Sequence, residues 1–89
     1  MKIKYKLVHY YDDKKIIDLD IVQENYYVEK NLYISKDIED AWEFKSIKEY
    51  IKKSKKKFNS KFICVTKFSC FEIVSYKNST SVYFIELVK

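Results

Sequence analysis

The run Ser46-Ile47-Lys48-Glu49-Tyr50-Ile51-Lys52-Lys53-Ser54-Lys55-Lys56-Lys57-Phe58 carries the clearest structural signal in the chain. Ser46 followed three residues later by Glu49 fits a capping box, in which hydroxyl and carboxylate each satisfy one unpaired N–H at a helix start. Ile47, Tyr50, Ile51, Ser54 and Phe58 then fall at helical spacing, and lysines cover the remaining face. This spacing predicts a helix over about 47–57. Just upstream, Asp37 to Phe44 reads as a short helical turn with Ile38, Ala41 and Trp42 directed inward. Carboxylates there suit a helix start, and the lysines suit a helix end, by the macrodipole.

Away from this segment the periodicity changes from helical to alternating. Lys2 to Tyr11 places Ile3, Tyr5 and Leu7 on one face and ends at Asp12-Asp13-Lys14-Lys15. Ile16 to Val22 sets Ile17, Leu19 and Ile21 opposite Asp18 and Asp20, so the two segments form an expected hairpin. Tyr26 to Ser35 reads either as one strand or as a tight hairpin about Glu29-Lys30-Asn31. After Asn59-Ser60, strands are expected at Phe62 to Lys67, Cys70 to Tyr76 and Val82 to Val88, the last two joined by the turn Lys77-Asn78-Ser79-Thr80. With neither Gly nor Pro in the chain, every turn must come from Asn, Asp, Ser and Lys clusters. The expected architecture is α+β: one domain, 1–89, in which an antiparallel sheet of five or six strands carries the main helix on one face.

Eighty-nine residues leave room for a single core, and a chain this short needs large side chains to build it. Nine Tyr, six Phe and one Trp supply them, giving an expectation of modest stability or of a partner. There is no Arg, whereas residues with AT-rich codons (Phe, Tyr, Met, Ile, Asn, Lys) make up 49 of the 89 positions. An AT-rich bacterial or mobile-element genome explains that bias, and it also accounts for part of the lysine excess and the net charge of +5. Charge is unevenly placed. Lys45 to Lys61 holds eight lysines against Glu49, a net +7, whereas Asp12 to Glu43 holds ten acids against four lysines, a net −6. Two cysteines, no basic-then-apolar leader and no apolar run of the roughly 20 residues that span a bilayer point to a cytoplasmic protein without a membrane partner.

Catalytic chemistry finds few reagents here. Phosphate-cradling loops need glycine, and this chain has none. His9 is the only imidazole for a nucleophile built on Cys64 or Cys70, and three Cys and His residues at these spacings do not make a zinc site. Cys64 and Cys70 face each other if the chain turns near Lys67, where buried thiols would serve as small apolar packing. Asp18, Asp20 and Glu43-Phe44-Lys45 suggest a magnesium-dependent nuclease, but the Glu-x-Lys falls beside a helical turn rather than on a strand. The reading is therefore of a non-enzyme without cofactor or metal. A lysine-rich helix suits phosphate contacts, while the lack of Arg argues against base-specific reading in the major groove. The same lysines also make an ordinary solvated face. Asp37, Glu39, Asp40 and Glu43, with Asp18 and Asp20, offer a second surface that imitates nucleic-acid phosphates toward a basic partner.

Leu32 to Phe58, with Tyr33-Ile34-Ser35, Ala41-Trp42-Glu43-Phe44 and Ser46-Ile47-Lys48-Glu49 ahead of the basic helix, resembles a module of small accessory proteins from bacteriophages and mobile elements. The resemblance implies an anti-CRISPR-like protein that inhibits a host defence nuclease complex by binding, and it transfers no functional residue. The expected partner is a host protein or ribonucleoprotein complex in the bacterial cytoplasm, with nucleic acid as the alternative and a monomer or homodimer as the assembly. Lys48, Lys52, Lys53, Lys55, Lys56 and Lys57 are the expected contact residues, and Tyr26, Tyr27 and Tyr33 the expected aromatic anchors.

Overall fold

Alternation at the start of the chain becomes the longest strand, β1 (Lys2–Asp12). The computed structural model describes residues 1–12, 15–17 by backbone alone, and 24–88. Short strands β2 (Lys15–Ile17), β3 (Tyr26–Val28) and β4 (Ile34–Ser35) follow. Next come a 3-10 turn (Ile38–Asp40), helix α1 (Ile47–Lys57), β5 (Lys61–Thr66), β6 (Ser69–Ser75) and β7 (Ser79–Val88). The antiparallel sheet runs β4-β3-β1-β7-β6-β5, and β2 pairs with the far end of β1. α1 lies on one face only, so the fold is α+β as expected.

The β1–β2 hairpin is present, with Tyr10 opposite Ile17. Leu19, Ile21, Asp18 and Asp20, which complete the expected second strand, lie outside the described residues. Of the two readings of 26–35, the hairpin is the one that forms. Its turn closes with Glu29 N–H donating to the Tyr33 carbonyl at 2.8 Å, and Leu32 takes a φ of 68°. That left-handed conformation normally falls to glycine. In a glycine-free chain Leu32 adopts it while packing its side chain against the core.

Helix α1 has the bounds that the spacing predicts. Ser46 Oγ accepts from Glu49 N–H at 3.2 Å, but the Glu49 carboxylate reaches back to Lys45 N–H at 2.7 Å, one residue outside the expected reciprocal partner. Ile47, Tyr50 and Ser54 are buried, whereas Phe58 caps the helix and is 42% exposed, a correction to its expected place in the buried stripe. Upstream the reading also needs revision. Ile38 and Trp42 are exposed, and the inward residue is Phe44, buried under α1 with its ring edge-on to Tyr50 at 5.9 Å.

Register assigns the faces. Ile3, Tyr5, Tyr83, Ile85, Leu87, Cys70, Glu72 and Phe62 share the helix-covered side, where Ile3, Ile85 and Cys70 are fully buried. Tyr5 and Tyr83 stack at 4.5 Å. A bulge between Leu7 and His9 then turns His9 and Tyr11 to the opposite face, beside Val82 and Thr80.

Candidate functional site

Two surfaces and one interior cluster could carry function. The first surface is the sheet face that α1 leaves uncovered. Pairing sets Lys6, Phe84, Phe71 and Ile63 in one row across β1, β7, β6 and β5, and His9, Val82, Ile73 and Lys61 in the next. Phe71 and Phe84 touch with ring centroids 5.3 Å apart, and Ile63 is 56% exposed. Apolar side chains gather on β5 to β7, bordered by Lys61 on β5 and by the lysines of β1, where Lys4 pairs with Glu86 of β7 at 3.6 Å. Apolar patches left this open on a small domain usually mark an interaction surface.

The second surface is the outer side of α1, where the lysines separate into two groups. Lys53 lies over the Trp42 and Phe44 rings at 5.7 and 5.5 Å, and it pairs with Glu49 at 3.7 Å. Lys55 sits 6.0 Å from the Phe62 ring, and Lys57 lies 4.7 Å over Tyr33 while donating to the Asn31 carbonyl at 2.7 Å. These three therefore fasten the helix to its surroundings. Lys48, Lys52 and Lys56, four residues apart, form an exposed line outside these ring contacts. The expected anchors also divide. Tyr33 is exposed, Tyr26 is half-buried with its hydroxyl donating to Glu24 at 3.1 Å, and Tyr27 is half-buried on the uncovered face beside Lys4.

The interior cluster, which sequence reasoning missed, centres on Glu72. Its side chain is 2% exposed on the helix-covered face. Tyr50 Oη donates to Oε1 at 2.7 Å, and Ser54 Oγ donates to Oε2 at 2.6 Å. Burial first, and the negative field of Glu72 second, hold the Tyr5 and Tyr50 phenols well above their ordinary range. The phenols therefore remain protonated donors. No lysine among the described residues comes within ion-pair distance of this carboxylate.

The remaining candidates do not converge. Cys64 and Cys70 do face each other across β5 and β6, but as free thiols of which only Cys70 is buried, so packing accounts for one and not for the pair. Burial, then Cys64, then Glu72 push the Cys70 thiol up to about 12. His9 occupies the opposite face of the sheet from Cys70, which separates the would-be base from the would-be nucleophile. Glu43 is exposed in coil, held 2.6 Å from the Met1 amine, and Asp18 and Asp20 are outside the described residues. Among the described residues no three Cys, His, Asp or Glu side chains gather as a metal site. Nor is any helix there long and apolar enough to cross a membrane. Of the acidic set, Asp37 caps the 3-10 turn and Asp40 accepts from Ser35 Oγ at 3.2 Å.

No family model, curated protein or solved structure matches the chain.

Proposed function

We propose that this protein works by docking onto a protein partner, as a small phage or mobile-element inhibitor of a bacterial defence nuclease complex. The observation that carries the docking reading is the uncovered sheet face, where Ile63, Phe71, Ile73, Val82 and Phe84 form one apolar field on β5, β6 and β7. Ile63 is exposed and the other four are half-buried, and the apolar area they leave in water gains free energy when a complementary surface covers it, at about 25 cal/mol per Å². The nuclease-complex partner rests on the phage-like resemblance and the AT-rich composition. Tagged protein incubated with bacterial lysate is expected to retain a defined protein complex. Ile63→Glu should abolish that retention, and Lys48→Glu/Lys52→Glu/Lys56→Glu should leave it intact. Retention unaffected by Ile63→Glu and Phe84→Glu together would remove the sheet face from consideration.

A second reading is sequence-indifferent binding of nucleic acid through α1, and the exposed line Lys48, Lys52 and Lys56 favours it. Three neutralised phosphates give a slope of log K against log salt of about −2 for a single strand and about −3 for a duplex. Gel retardation across a salt series separates the readings. The lysine triple variant should lose the retardation, and Ile63→Glu should not.

A further inference from the structure

α1 covers only part of its sheet face, and the remainder is a cavity of about 260 Å³ beside the end of the helix. Six aromatic rings, those of Tyr5, Tyr33, Tyr50, Tyr76, Tyr83 and Phe58, line it together with aliphatic side chains, and among the described residues Glu72 contributes the only charged side chain of the lining. Tyr76 and Tyr33 stand at the mouth, 68% and 63% exposed, while Glu72 lies at the floor. The volume falls below the roughly 300 to 1,000 Å³ of pockets for drug-sized ligands, so the fitting occupant is a small group.

We propose that this cavity binds an alkylammonium group, such as a methylated amine, with its charge directed at Glu72 and its methyl groups against the tyrosine rings. The chemistry of the lining selects this class. Ring faces carry the negative end of the aromatic quadrupole and attract cations, most strongly where water is excluded. A carboxylate offers about four acceptor positions, and the hydroxyls of Tyr50, Ser54 and Tyr5 hydrogen-bond to Glu72 without bringing it a positive charge. A buried charge answered by hydroxyls alone is costly, and a cation in the cavity supplies what they do not. The α1 C-terminus also borders the mouth through Phe58, and the negative end of a helix dipole favours positive charge there. The rim already behaves in this way, since the Lys57 ammonium lies over Tyr33 at 4.7 Å and over Phe58 at 5.6 Å. Lys57 is therefore a competitor at the entrance, and its removal strengthens binding of an outside cation.

The ammonium group has two sources, a free small amine or a methylated lysine side chain on a partner. Choline, its neutral carbon isostere 3,3-dimethylbutan-1-ol and a short peptide bearing trimethyllysine are titrated into the whole protein, read by amide shifts in NMR. Choline or the peptide should shift Glu72, Tyr33 and Tyr76 and bind tighter than the neutral alcohol by about tenfold or more, the scale of a desolvated cation–π contact with an added charge. Preference for the peptide assigns a partner side chain, and preference for choline assigns a free amine. Glu72→Gln should reduce choline affinity at least to the level of the alcohol, and Lys57→Gln should raise it. Tyr76→Ala, at the exposed rim, should weaken it without disturbing the fold, so the test survives if Glu72→Gln does not fold. Equal affinity for choline and the alcohol, shifts outside the cavity, or no shift with either cation would overturn the proposal.

Discussion

Replacing Tyr50 with Phe tests the polar clip that joins α1 to the sheet. The ring remains in place, edge-on to Phe44 at 5.9 Å and Phe62 at 6.2 Å, and only the hydroxyl is lost. Glu72 Oε1 then loses its direct donor, and replacement falls to water drawn from the adjoining cavity. A hydrogen bond to a charged acceptor contributes about 1.5 to 3 kcal/mol, and stranding a buried polar atom costs on the same scale, so the expected loss is about 2 kcal/mol. For a domain of this size that lowers Tm by roughly 8 to 16 °C, and in urea it moves the midpoint by about 1 M. Equilibrium urea titrations followed by far-UV circular dichroism and Trp42 fluorescence measure it, with coincident curves as the two-state check. Tyr50→Phe/Ser54→Ala/Glu72→Met removes two donors and the acceptor together and should recover most of the loss, because only the Tyr5 hydroxyl, which borders the cavity, is then left without Glu72. A Tyr50→Phe midpoint within about 0.5 kcal/mol of the parent, or a triple variant worse than the single changes, would refute the clip.

Four further outcomes follow from the structure. Ser46→Ala removes the acceptor for Glu49 N–H and should cost about 1 kcal/mol in thermal melts. Ser60 Oγ is buried without a hydrogen-bond partner among the described residues, so Ser60→Ala should match or exceed the parent Tm. Iodoacetamide at pH 8 should alkylate exposed Cys64 and spare Cys70, whose thiol stays protonated until about pH 12, and peptide mass mapping reads the ratio. Ile63→Glu and the triple Lys48→Glu/Lys52→Glu/Lys56→Glu should each hold stability within about 0.5 kcal/mol of the parent while changing binding.

What was legible in the sequence was local. Helix 47–57 announces itself because cap, period and charge agree over eleven residues, and the hairpins announce themselves through alternation broken by polar turns. The misreadings have one cause. Phe44 sits alone in coil with no periodic neighbours, so nothing local marks it as buried, while Trp42 two residues earlier looks the more apolar and lies outside. In Cys70-Phe71-Glu72-Ile73-Val74, ordinary alternation sends Glu72 to water and Phe71 and Ile73 inward. α1 instead covers the opposite face from the one this pattern names, burying the acid under Tyr50 and leaving the phenylalanine on the uncovered side. Which lysines stand free was likewise hidden, because Lys53, Lys55 and Lys57 are engaged by rings from Phe44, Phe62 and Tyr33 that are distant in sequence or lie across a turn.

β1 and β7, the two strands at the middle of the sheet, come from opposite ends of the sequence, with Lys2 opposite Val88 and Asp12 opposite Ser79. In strand pairing among the described residues, β3 with β4 on one side and β5 with β6 on the other meet only through that pair. High contact order of this kind slows folding, because the loop entropy of nearly the whole chain is lost before the central ladder forms. Until residues 79–88 pair with β1, α1 and the β5–β6 hairpin can sample structure, but the sheet stays in two halves. A variant lacking residues 79–88 should therefore be protease-sensitive throughout.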